Sequence, residues 1–381
     1  MSCVYLDNAA TMPVSQNVKD VIYDAFDIYG NPSSQHNTGR VAKALLNQSR
    51  ANIEKNLGLP NNSFVFTSGG TEADNMAIKM CVEYGLRHGR NKIITSTVEH
   101  HAVLNTIKKL DNVIVEYIDV NKDGIIDIKK LENMVDYKTS LVSIMTSNNE
   151  TGVIFDIYAI AELVHRKGGL FHTDAVQGIT HMPIASALVD LYSISGHKFG
   201  APKGIGGLYI NPAIIEEIKP YSIITGGQQE FSLRASTENT PYIVGMSQAI
   251  DDLTKNRNNT NKTVSELSSY FKEQLSIKFE YCKINGINDD KFRNPSIINF
   301  STEFADAASI VEWMSLNNIC ISSGSACNTG SSDPSHVLTA MGLTSKEAFS
   351  SVRISLSQYN TKEEIDYFMD VFKSFENRYK I

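Results

Sequence analysis

From about residue 60 to residue 210, apolar runs of strand length alternate with helical patterns, and this alternation restricts the fold more than any other feature. Segments 64–67, 92–95, 113–117, 141–145, 170–173, 191–194 and 206–210 read as seven strands. A continuous apolar run is covered on both faces, and helical crossovers between such runs make the strands mostly parallel. The expected class is therefore α/β, a large domain built on a mostly parallel seven-stranded sheet. The polar, Asn-rich stretch 255–263 breaks a helical pattern and sets a division. Residues 15–255 form the large domain, and residues 1–14 with 256–381 form a small α+β domain. The latter is expected to hold a helix at 264–277, strands at 296–300 and 352–356, and a terminal helix from Lys362.

In sheets of this kind ligands gather beyond the carboxyl ends of the strands. Five polar clusters fall in that one position: Thr67-Ser-Gly-Gly-Thr71, Glu99-His100, Ser147-Asn-Asn149, Asp174 and Lys198. Lysine is the side chain that holds an aldehyde cofactor as a Schiff base, and a buried aspartate suits a pyridinium nitrogen. Lys198, closing Ser195-Gly-His-Lys198, and Asp174, opening Asp174-Ala-Val-Gln177, together point to pyridoxal phosphate. The Gly-containing turn at 67–75 leads into a helix whose free N–H groups suit the phosphate, with hydroxyls from Thr71 and Ser195. An ordinary helix start has the same residues. His100 is placed to lie over the ring and exchange protons, with His101 as its neighbouring alternative. Asn149 and Gln177 offer donors for the phenolate oxygen. Arg353 interrupts an apolar strand, a costly position unless the guanidinium is paired. Either a bidentate clamp on a substrate carboxylate or an internal ion pair satisfies it.

Asp119-Val-Asn-Lys-Asp-Gly124 resembles the start of a calcium loop, but the twelfth position is Lys130 where a bidentate glutamate is required, so it reads as a turn. A net charge of −7 without a dense basic block argues against a nucleic-acid-binding face. The amino terminus lacks a secretory pattern and no run reaches membrane-span length, which gives the expectation of a soluble cytoplasmic protein. Five cysteines without a Cys-x-x-Cys pair imply neither a disulfide framework nor structural zinc. Cys81 reads as core and Cys320 as strand. Cys327 alone, in Ser322-Ser-Gly-Ser-Ala-Cys327, has small neighbours that would leave it accessible, and a lysine-held cofactor plus such a thiol suggests sulfur chemistry.

Taken together the motifs resemble the cysteine desulfurases of the class V aminotransferase group, fold-type I enzymes that use pyridoxal phosphate. The resemblance runs in order through Leu6-Asp-Asn-Ala-Ala-Thr11, Asn31-Pro-Ser-Ser-x-His36, Thr67-Ser-Gly-x-Thr-Glu72, Glu99-His100, Asn148-Asn-Glu150, Asp174-Ala-x-Gln177, Ser195-Gly-His-Lys198, Ser322-Ser-Gly-Ser-Ala-Cys327 and Arg353. The Ser-Ser-Gly-Ser-Ala-Cys form is similar to the group with a longer, mobile cysteine loop. It implies conversion of L-cysteine to alanine, with sulfur held as a persulfide on Cys327 for an acceptor protein serving iron–sulfur cluster assembly or nucleic-acid thiolation. A selenocysteine lyase or other β-lyase is the alternative. Lys198 would hold the cofactor, His100 stack on it, Asp174 and Gln177 bind its ring, and Thr71, Ser195 and His197 its phosphate. Asn149 and Arg353 would meet the substrate carboxylate. Thr237 would complete the phosphate site of a neighbouring subunit, implying a homodimer. Here the chain departs from the pattern, because Arg234-Ala-Ser236-Thr237 has serine where the family carries glycine.

Overall fold

The structure is a computed structural model that describes residues 3–323 and 333–379. Strand β1 (Val4–Tyr5) precedes the large domain, whose central sheet contains β2 (Phe64–Thr67), β3 (Lys92–Ser96), β4 (Ile114–Ile118), β5 (Thr139–Ser143), β6 (Leu170–Asp174), β7 (Leu191–Ser195) and β8 (Gly206–Ile210). The spatial order is β2-β8-β7-β6-β5-β3-β4. Only β8 runs antiparallel to its neighbours. Every residue of β2, β3, β5, β7 and β8 is buried, which is why these strands lack alternation, whereas edge strand β4 is partly exposed. Strand β5 lies two residues earlier than the apolar run suggests, because register with β3 and β6 is set at Leu141–Ser143.

Because β8 reverses twice over, β2 points the same way as β7. The ends of β2, β3, β5, β6 and β7 thus open on one edge of the sheet. The winding direction changes between β3 and β5, the position where such sheets form their crevice.

The remaining strands are β9 (Lys283–Ile284), β10 (Ile297–Ser301), β11 (Ile319–Cys320), β12 (Ser322–Ser323) and β13 (Ser351–Ser355). Four of them form an antiparallel sheet in the order β12-β13-β10-β9, and β11 pairs in parallel with β1. Val4, Leu6, Phe271, Phe300, Phe368 and Phe372 belong to the apolar core against this sheet. The helices His336–Ala340 and Ser345–Phe349 instead send Val337, Leu338, Met341 and Ala348 into the core of the large sheet.

The helix break expected at 255–263 does not occur. One helix runs from Thr240 to Lys278, 39 residues long. Ile243, Met246 and Ile250 anchor its first half in the large core, and Val264, Phe271 and Leu275 its second half in the small one. Packing at both ends holds the polar middle helical, and Asn256 turns its amide back onto the carbonyl of Asp252 at 2.8 Å.

Near the site edge, the segment Glu230-Phe231-Ser232 has three consecutive residues with positive φ, at 47°, 59° and 65°. Glu230 explains their persistence. Its buried carboxylate is gripped by Arg50 at 2.8 and 2.5 Å and accepts the N–H of Phe66 at 2.7 Å. Replacing it strands a buried guanidinium. Glu230→Ala is expected to lower unfolding free energy by about 3 kcal/mol, read from urea midpoints.

Candidate active site

Gly206 begins β8 directly opposite Thr67 and Ser195. A Cβ there would sit 2.6 Å from the Cα of Gly69, so only glycine lets the turn at 67–70 pass over the sheet. Gly70 is equally constrained, with Val176 at 2.8 Å and the Cβ of Ser195 at 3.3 Å from where its own Cβ would be. This close packing sets the start of the helix Gly70–Arg87 against Ser195, and no side chain caps that start. Thr71 is exposed in the first turn, and Glu72 is engaged by Arg234 at 2.8 Å and by the Ser68 hydroxyl at 2.6 Å.

Lys198 stands on the short turn after β7. Its Nζ donates to the carbonyls of Ala9 at 2.8 Å and Ala10 at 3.0 Å. The same Ala9 carbonyl accepts the Gln177 amide at 2.9 Å. Asp174 ends β6, buried, with Oδ1 accepting the Val176 N–H at 2.9 Å. Burial raises its carboxyl to about 6, opposed by that N–H and by the Lys198 ammonium, so it is anionic at neutral pH.

His100 caps the helix His101–Ile107. Its Nδ1 accepts the Ala102 N–H at 3.1 Å, which leaves the proton of the neutral ring on Nε2. Burial lowers its pKa to about 4, and Lys198 and His101 push the same way, so the ring is neutral at physiological pH. Donor atoms of His100, Asp74 and Asp174 all lie within 4.8 Å of one another. His197 is likewise lowered to about 4, mainly by burial.

Arg353 is in β13, 3% exposed, and of the two alternatives for its pairing the internal ion pair is formed. It forms an ion pair with Asp7 at 2.9 Å and donates to the backbone carbonyl of Asn149 at 2.9 Å, while its buried Nε has no partner among the described residues. Asp7 also accepts the Ser322 hydroxyl at 2.9 Å. Thr237 is exposed and contributes nothing to the pocket within the single chain. Cys327 lies outside the described residues. Cys81 is fully buried and Cys320 lies in β11. The acidic turn at 119–127 is used locally, since Lys130 pairs with Asp119 at 3.0 Å and Asp127 caps a helix.

The set fits pyridoxal phosphate. An uncapped helix start beside Ser195 suits a phosphate, the buried His197 Nδ1 lacks a partner among the described residues, and an anionic Asp174 awaits a protonated ring nitrogen. Several contributors escaped the reading of the sequence. Asp7, Ala9 and Ala10, quoted within the motif 6–11 but given no role there, act from the segment after β1, whose placement is tertiary. Asp74 carried a readable signal, an acid on the apolar face of a helix beside Ala73, Ala77 and Ile78. Glu150 also sits buried, accepting the Ser335 hydroxyl at 2.5 Å.

The aminotransferase class-V family model matches residues 4–368. The chain is 39% identical over 373 residues to a cysteine desulfurase IscS of Clostridium botulinum (strain Hall), covering 97% of this chain and 93% of that one. A solved NifS-like protein superposes with a TM-score of 0.90 at 32% identity, covering 98% of this chain and 99% of that one. A structure of SspA in complex with cysteine matches with a TM-score of 0.81 at 33% identity, over 94% of this chain and 100% of that one.

Ser236 has φ of 101°, a conformation glycine adopts freely and serine does not. Ser236→Gly should raise unfolding free energy by about 1 kcal/mol, visible as a higher Tm. Burial pushes Glu150 from 4.5 up to about 7. The folded state therefore binds the extra proton between those values, and stability falls as pH rises through them. Glu150→Gln removes this loss, so wild type should lose stability relative to the variant on going from about pH 5 to about pH 7, measured by urea midpoints.

Proposed function

The chain belongs to the class-V aminotransferase family and, within it, to the pyridoxal-phosphate-dependent cysteine desulfurases, and from that premise we propose how its own residues divide the work. L-cysteine and a reduced Cys327 give alanine and a Cys327 persulfide, which an acceptor protein then discharges. When bound, the cofactor serves as an electron sink that weakens the substrate Cβ–S bond.

Arg353 binds and orients the substrate carboxylate with its free Nε, assisted by Asn149. Lys198 anchors the cofactor and afterwards carries the Cα proton. The Ala9 and Ala10 carbonyls hold its amine beside Gln177, whose amide is assigned to the phenolate oxygen. Asp174 keeps the ring nitrogen protonated, because an anion buried beside it favours the charged ring. Neutral His100 supplies a proton from Nε2. Thr71, Ser195 and His197 take the phosphate.

Cys327 is assigned the attack on the substrate sulfur, as a thiolate. The observation that carries this reading is where its segment is rooted. Ser322 pairs with Arg353 across β12 and β13, and its hydroxyl bonds Asp7, the ion-pair partner of Arg353. Cys327 is the fourth residue after Ser323, a tether of at most about 14 Å.

We infer a homodimer as the working form. Tyr23, Tyr29 and Phe26 are 80%, 85% and 60% exposed on and just after the helix Gln16–Phe26, an apolar surface that a second copy would cover. Exposed Thr237 is then available to the other subunit's phosphate. A cytoplasmic site of action is part of the same reading, and no helix among the described residues is long and apolar enough to cross a membrane.

Cys327→Ser is expected to keep the visible absorbance of the bound cofactor while forming no persulfide and releasing no sulfide from L-cysteine, and Lys198→Ala to lose that absorbance. Undiminished sulfide release by the serine variant would remove Cys327 from the reaction.

A further inference from the structure

Behind Asp174 lies a buried polar chain that the reaction outlined above leaves unused. His172, in β6, is fully buried between two hydroxyls, with Ser143 2.8 Å from its Nδ1 and Ser193 2.9 Å from its Nε2. Ser193 also hydrogen-bonds the carboxyl of Asp74, whose Oδ1 is 3.7 Å from the His172 ring. Asp74 is 1% exposed, in the first turns of the helix Gly70–Arg87, and that Oδ1 has no hydrogen-bond partner among the described residues. A carboxyl oxygen of Asp74 and one of Asp174 fall within the same 4.8 Å cluster as the ring nitrogen of His100.

Two carboxylates this close, away from water, do not both ionise. Asp174 has what an anion requires, an N–H from Val176 and the field of Lys198. Burial opposes a charge on Asp74 most, the nearby Asp174 carboxylate adds to that, and the Ser193 hydroxyl only partly offsets them, while His172 and His100 give no help, since burial keeps both rings neutral. The proton therefore belongs on Asp74.

We propose that Asp74 is a positioning residue for the cofactor, a carboxyl that retains its proton so that this pocket holds one negative charge, on Asp174, for the ring nitrogen. The proposal rests on Asp174 being the ring-nitrogen partner. A protonated Asp74 can donate where a carboxylate could only accept, and it adds no second negative charge to compete for the ring. Its consequence is that asparagine, neutral and nearly isosteric, substitutes for it.

The test uses holoenzymes of wild type, Asp74→Asn, Asp74→Ala and Asp174→Asn. Infrared difference spectra in heavy water at mildly alkaline pH should show a protonated-carboxyl stretch in wild type that Asp74→Asn lacks. Cofactor affinity and the visible band of Asp74→Asn should match wild type, while Asp74→Ala binds the cofactor about tenfold more weakly and Asp174→Asn loses the band. Thermal melts of each variant separate these effects from unfolding. If no such stretch disappears on Asp74→Asn, or if that variant loses cofactor as Asp174→Asn does, Asp74 is ionised and the proposal falls. If Asp174→Asn keeps the visible band while Asp74→Asn abolishes it, the two aspartates exchange roles and the assignment of Asp174 falls instead.

Discussion

The half-buried Lys198 ammonium acts on the buried Asp174 carboxylate, and the rest of the edge is arranged around that pair. Burial alone would neutralise Asp174. The Val176 N–H and the lysine charge offset this enough to keep it ionised at neutral pH. Around the pair, burial works against charge on several other titratable groups. His100 and His197 are lowered to about 4, Glu99 is raised to about 8, Glu150 to about 7, and Asp74 is raised as well. Arg353 and Arg234 at this edge keep their charges in ion pairs, with Asp7 and Glu72.

Holding this arrangement requires both domains. The segment Asp7–Ala10 bonds Lys198, Gln177, Arg353 and Ser322. Its carbonyls receive Lys198 and Gln177, and Asp7 receives Arg353 and Ser322. The segment is itself pinned by Ser355, which accepts the Ala9 N–H at 2.9 Å, and by the pairing of β1 with β11. Lys198, after a strand of the large sheet, and Arg353, on the small one, are therefore placed by neighbouring groups of one segment, the first by the Ala9 and Ala10 carbonyls and the second by the Asp7 carboxylate. The Glu150–Ser335 bond makes a second tie, joining the loop after β5 to the cap of the helix that follows residues 324–332.

Much of this was legible because fully buried strands leave continuous apolar runs, and a strand must end before a polar cluster can face a crevice. Segment 206–210 matches β8 residue for residue, and each of the five clusters falls at one edge. What escaped depends on packing between segments distant in sequence. The Asn-rich stretch 255–263 looks like a break because local propensity says so, yet the helix continues because each of its halves is held in a different core. The partners of Lys198 are backbone carbonyls, which carry no side-chain signature. The partner of Arg353 was unreadable for a related reason, since Asp7 stands 346 residues away.

The pairing of Arg353 with Asp7 bears on how a substrate is recognised. A guanidinium has five donors, and here one nitrogen bonds a carbonyl and another a carboxylate, leaving the buried Nε without a partner among the described residues. Such an orphan donor is costly in an empty site, and an incoming carboxylate relieves that cost. Asp7 meanwhile keeps the guanidinium plane fixed, so little side-chain freedom is lost on binding. An internal ion pair and a substrate clamp, alternatives when only the sequence is considered, are thus compatible. The ion pair orients the arginine, and in the proposed reaction the remaining nitrogen is the one assigned to the substrate.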